Sequence, residues 1–172
     1  MTSEPTSLVD PALALARRCA AAMWADDQAS RRLGMQLLDV APGRSRLSMK
    51  VRDDMVNGHG SCHGGFIAAL ADSAFAFACN TYDVVTVAAG FDITFVAPAR
   101  LGDELVADAV ERSRFGRSGL YDVTVSCRRG AEKTVVAEFR GRSRSLGRPH
   151  LPTRGVDSDG AHPQQHADRS TS

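Results

Sequence analysis

Asp72 and the neighbouring Ser73 are the only polar side chains between Phe66 and Cys79, in the run FIAALADSAFAFAC. A helix that is apolar all round has to be surrounded by protein. An unpaired carboxylate in such surroundings is costly, and a chain that keeps one there is a candidate for using it. Its available chemistry is that of a general base toward water or of a nucleophile. Directly upstream runs Asn57-Gly-His-Gly-Ser-Cys-His-Gly-Gly65. Glycines that open a helix present backbone N–H groups with no partner of their own, and the helix dipole there favours negative charge.

Other readings of the same residues are weaker. His59, Cys62, His63 and Cys79 do not fall at zinc-ligand spacings, so no metal site is expected. Cys62 and His63 are sequence neighbours, and neighbours rarely face each other as nucleophile and base. Phe75 and Phe77 point to different helix faces and read first as core. Asp72 as a purely structural acid is disfavoured by the loop that precedes it.

The elements that must position these residues come from one domain. The chain has 172 residues, 43% of them hydrophobic, enough for one sizeable core. A net charge of +1 favours neither nucleic acid nor an anionic membrane as partner. Four scattered cysteines without a CxxC pair suggest reduced thiols. No run is long enough to span a bilayer, and Met1–Ser7 has no basic start or apolar signal core. A cytoplasmic protein is expected.

Asp10-Pro11 is a helix-start signal, and Pro11 to Ala25 reads as an amphipathic helix. Met35–Ala41 and Arg44–Val51 read as a hairpin turned by Pro42-Gly43. The helix from about Gly65 to Asn80 follows. Four β-like runs then appear, at Val84–Ala97, Asp103–Arg114, Gly119–Arg128 and Lys133–Ser145, and are expected to form a meander. The domain is expected over 10–146. Residues 1–9 and the polar tail 147–172 are expected to be disordered. The fold class is α+β: an antiparallel sheet wrapped around one long buried helix, with an extra N-terminal helix. One sheet covers only part of that helix, so homo-oligomerisation is expected.

These segments resemble the hotdog-fold acyl-CoA thioesterases, and within them the phenylacetate-degradation (PaaI) subgroup. The matching residues are Met55–Gly65, Ala71–Asn80, Phe91–Pro98, Arg100–Asp103 and Gly116–Val123. A lone HGG is weak evidence. HGxCHGG with an Asp eight residues after the first Gly of the pair, plus the downstream segments, is strong. The resemblance implies hydrolysis of an acyl-CoA, phenylacetyl-CoA or a ring-hydroxylated relative, with Asp72 as base or nucleophile. It implies that the Gly64 N–H holds the thioester carbonyl, with Asn57, His63 and Ser73 in support. It implies a homotetramer built as a dimer of dimers, with the carboxylate supplied by the partner subunit. It implies no cofactor beyond the coenzyme A of the substrate.

The residues agree with that picture. Gly64 and Asp72 would lie about 12 Å apart along one helix axis, too far to meet at one carbonyl within a single chain. Gly65, Phe95 and Pro98 are expected to contact substrate. Arg114, Gly116, Arg117 and Ser118 are expected at the coenzyme A end, where phosphates need positive charge. Rival readings are a hotdog enoyl-CoA hydratase or dehydratase, whose motif is not found here, and a non-catalytic acyl-CoA binding module.

Overall fold

The structure is a computed structural model and describes residues 10–152. Residues 1–9 and 153–172, two stretches expected to be disordered, lie outside the described residues.

The chain opens with α1 (Pro11–Asp26) and α2 (Gln28–Arg32). Asp10 caps α1 by accepting from Ala12 N at 3.0 Å. Asp27 caps α2 by accepting from Ser30 N at 2.9 Å. β1 (Gln36–Ala41) and β2 (Arg44–Lys50) form the expected hairpin, with Gly43 at φ 67° in its turn. A single 3-10 turn, Asp53–Met55, leads to the glycine-histidine loop and then α3 (Gly64–Cys79). β3 (Thr86–Phe95), β4 (Glu104–Phe115), β5 (Ser118–Arg129) and β6 (Glu132–Ser145) follow.

All six strands form one antiparallel sheet in the order β1-β2-β4-β5-β6-β3. The expected four-strand meander is therefore wrong in one place. β4, β5 and β6 do follow one another, but β3 pairs with β6 at the far edge, from Thr86↔Ser145 to Phe95↔Ala137. The reason lies in the connections. Gly116-Arg117 and Gly130-Ala131 are two-residue hairpin turns. The link from Val96 to Asp103 is too long for one; it bonds to the loop before α3 through Cys62 N and Ala99 O and to Val51, and starts β4 beside β2.

α3 lies across the sheet and touches every strand. Leu70, Ala71, Ala74, Phe75 and Ala78 are buried in one core with Leu47, Met49, Leu105, Val123, Val125 and Val136. Phe75 packs against Tyr121 and Phe139, with ring centroids 5.4 and 5.8 Å away. Phe77 packs against Trp24 of α1 at 5.8 Å. Both phenylalanines are thus core. The opposite sheet face is charged, with Asp122 taking Arg112 at 2.7 Å and Arg140 at 2.8 Å.

Two surfaces stay open. The α3 stripe Ala68, Ala69, Asp72, Ser73 and Ala76 is only half-buried. β3 is an edge strand with apolar side chains in solvent, Val87 at 43%, Phe91 at 41% and Phe95 at 51% exposure. Natural edges of this kind are usually covered.

The expected boundary at 147 falls inside a segment that keeps contacts with the domain. Asp83, itself at φ 55°, accepts from His150 N at 3.0 Å and Leu151 N at 2.7 Å through Oδ1. Val85 and Arg148 extend the same junction, Val85 N donating to Arg148 O at 2.9 Å.

Candidate active site

The loop before α3 is built on Asn57. Its Oδ1 accepts from His59 N at 2.9 Å and from Ser61 N and Oγ, both at 3.3 Å. Its backbone N donates to Ser61 O at 2.8 Å. The side-chain carbonyl is therefore committed to the loop, and the Nδ2 donor has no partner among the described residues. Two backbone bonds anchor the loop's far end, Cys62 N to Ala99 O at 2.9 Å and His63 N to Met55 O at 2.8 Å.

His63 caps α3. Its Nδ1 accepts from Gly65 N at 3.0 Å. A neutral imidazole that accepts at Nδ1 carries its proton on Nε2. The Gly65 N–H, expected at the substrate, is thereby used within the chain. The Gly64 N–H has no acceptor among the described residues, and it is the free donor of the helix start.

A cavity of about 340 Å³ opens there, lined by Ser61, Cys62, Gly64, Ile67, Phe95, Val96, Ala97 and Pro98. Of the expected substrate contacts Gly65, Phe95 and Pro98, the lining holds Phe95 and Pro98, beside Gly64 rather than Gly65. Asp72 is half-buried on the open stripe of α3. It makes no hydrogen bond or ion pair among the described residues, and burial pushes its carboxyl pKa up from the ordinary range. Gly64 and Asp72 belong to one unbroken helix, so the separation of about 12 Å along the axis holds.

Arg114, Gly116, Arg117 and Ser118 line a different cavity, of about 160 Å³, with Cys79, Tyr82, Tyr121 and Ser143. It stands at the other end of α3, roughly 22 Å along the axis from Gly64. Within one chain these residues do not meet the Gly64 cavity. Arg117 donates through Nε and Nη2 to Ser145 O, at 3.0 and 2.8 Å. The Arg114 guanidinium lies 3.6 Å above the Tyr82 ring centroid, with its Nε 3.4 Å from Glu111 Oε2. Tyr121 donates to the same oxygen at 2.9 Å. At the floor, burial pushes the Cys79 thiol up to about 12.

Glu111, Tyr82 and Tyr121 were not picked out from the sequence. Glu111 carried a signal: it continues the inward phase of Leu105, Ala107 and Ala109 on β4. Ser30 carried none. It is 2% exposed, and its Oγ lies 2.9 Å from Ser73 Oγ.

Residues 59–134 match the family model described as "Thioesterase superfamily". The acyl-coenzyme A thioesterase PaaI of Escherichia coli is 38% identical over 126 residues, covering 73% of this chain and 88% of that one. The chain belongs to the thioesterase superfamily. A putative esterase of Deinococcus radiodurans is 42% identical over 109 residues, covering 63% of this chain and 73% of its own. The solved E. coli PaaI protein, from the phenylacetic acid degradation operon, superposes with a TM-score of 0.76 at 36% identity. It covers 80% of this chain and 97% of its own. A point mutant of the phenylacetic acid degradation protein PaaI from Thermus thermophilus gives 0.65 at 38%, covering 70% and 100%. The sheet wrapped on α3 is thus the hotdog fold of the thioesterases. The superfamily match takes in His63, Gly64, Asp72 and Ser118, and it begins beyond Asn57 and the α1–α2 arm. Among the described residues no helix is long and apolar enough to cross a membrane.

Proposed function

We propose that this chain is an acyl-CoA thioesterase that releases free acid and coenzyme A, acting on phenylacetyl-CoA or a ring-hydroxylated relative. One observation carries the reading. An unengaged Gly64 N–H at a helix start faces a cavity, and an unpaired carboxylate stands two turns further along the same helix. Attack on a thioester puts negative charge on the carbonyl oxygen, and a donor already oriented toward it stabilises that charge best. A carboxylate with a raised pKa is a stronger base toward water.

The two groups serve one carbonyl when a second copy supplies Asp72. The open α3 stripe and the exposed β3 edge support such pairing. With Asp72 of the second copy opposite Gly64, that copy's α3 end lies about 10 Å beyond. Its Arg114–Ser118 cavity then stands where the phosphate end of coenzyme A would reach. His63 holds the loop, and Asn57 Nδ2 donates to the carboxylate or its water. The active form is a homotetramer, a dimer of dimers, and the enzyme is cytoplasmic, in keeping with four free, buried cysteines. The PaaI names of its relatives support the aromatic acyl group. Water is the co-substrate, with no metal or organic cofactor. Among the described residues no cluster of His, Cys, Asp or Glu is suited to hold a metal.

The test is thiol release from phenylacetyl-CoA and from a medium-chain acyl-CoA, by wild type and Asp72→Asn. Aromatic turnover that falls by roughly 100-fold or more in the variant supports the reading, the size expected for a lost general base. Turnover of the aliphatic substrate alone discards the acyl group. No release from either by wild type sinks the thioesterase reading.

A further inference from the structure

Ser30 of α2 reaches the helix that carries Asp72. It is buried, its backbone N is held by the Asp27 cap, and its carbonyl accepts from Met35 N at 3.0 Å. Its hydroxyl has one partner among the described residues, Ser73 Oγ at 2.9 Å. Two hydroxyls that share one hydrogen bond leave one proton over, and it belongs to whichever hydroxyl accepts. Were Ser73 to donate, the spare proton would sit on Ser30, buried with nothing to receive it, which is costly. With Ser30 donating, the spare proton sits on Ser73, which is half-buried on the open stripe next to Asp72.

We infer that Ser30 is a positioning residue: it donates to Ser73 Oγ and so presents the Ser73 O–H outward, toward the water on which Asp72 acts. The inference rests on the thioesterase reading. It makes the α1–α2 arm, which lies ahead of the matched superfamily region, part of the catalytic apparatus. Packing of Trp24 on Phe77 holds the same arm to the same helix one turn further on.

The test is a cycle of Ser30→Ala, Ser73→Ala and the double variant, read as kcat and KM for thiol release. Loss of one hydrogen bond acting in the transition state predicts a fall in kcat of about 3- to 10-fold for each single variant. KM should stay at the wild-type value, and the double variant should be no slower than Ser73→Ala. Ser30→Thr, which keeps the donor, should retain kcat more fully than Ser30→Ala. A purely structural Ser30 would instead lower the thermal midpoint while leaving kcat of the folded fraction alone. An active wild type with unchanged kcat in Ser30→Ala, or losses that simply multiply in the double variant, overturns the inference. A wild type that releases no thiol from any acyl-CoA overturns the thioesterase reading and this inference with it.

Discussion

Phe95 rests on Gly64. A Cβ placed on the glycine would lie 2.7 Å from the ring's Cζ and within 3.2 Å of two further ring atoms. The glycine is required here for close approach, not for its φ. The ring presses on the donor end of α3, and both residues line the same cavity.

Gly64→Ala should therefore fold with a displaced Phe95 and a poorly placed Gly64 amide. Loss of one oxyanion donor predicts a kcat lower by roughly 100-fold. Unchanged kcat in a correctly folded Gly64→Ala would remove Gly64 from the proposed role.

Asp72→Asn should raise stability while it lowers activity. Burial raises the Asp72 pKa in the folded chain, so between the unfolded and folded values the native state binds the extra proton. Stability from this group is then present at low pH and is lost as pH rises through the folded pKa. The variant should melt above wild type at pH 7, and the gap should close below about pH 4, the ordinary carboxyl range. Parallel melting curves across that range would contradict a desolvated, unpaired carboxylate at Asp72.

His63→Ala removes the side-chain acceptor for Gly65 N and should cost about 1 kcal/mol, the usual value of a helix cap. His63→Asn, which can cap, should recover most of it. Urea denaturation of the three proteins decides the matter.

Truncation should show where the domain ends. A chain ending at Pro152, the last described residue, is the reference for the comparison. A chain ending at Gly147 loses the two amides held by Asp83 and the Val85–Arg148 bond. It should be destabilised by about 1–3 kcal/mol. Equal midpoints for the two truncations would leave the Asp83 junction without energetic weight.

Local signals carried much of the fold. Asp10-Pro11 started α1, Pro42-Gly43 turned the first hairpin, and the apolar run from Phe66 marked α3. The placement of β3 was not legible, because strand order depends on which non-local pairing buries the most, and adjacent strands in sequence are only the default. Of the site, the loop and Asp72 stood out because burying a carboxylate or repeating glycine is locally expensive. Ser30 could not stand out. A serine in a short polar helix looks like any surface serine until packing shows that it is enclosed. The partition of Gly64 and Gly65, one free and one bound by His63, needed side-chain geometry that spacing does not encode.

The position of β3 also sets an order of events. β4, β5 and β6 join by two-residue turns and can zip together as each is made. β3 precedes all three in the chain, yet among the described residues its only ladder partner is β6, the last strand there, ending at Ser145. Its long-range closure is intrinsically slow. During synthesis the edge that faces outward in the finished sheet cannot exist until nearly the whole domain has emerged. Until β3 docks, the flank of β6 is an unpaired edge, so the finished sheet border is the last part of the ladder to form.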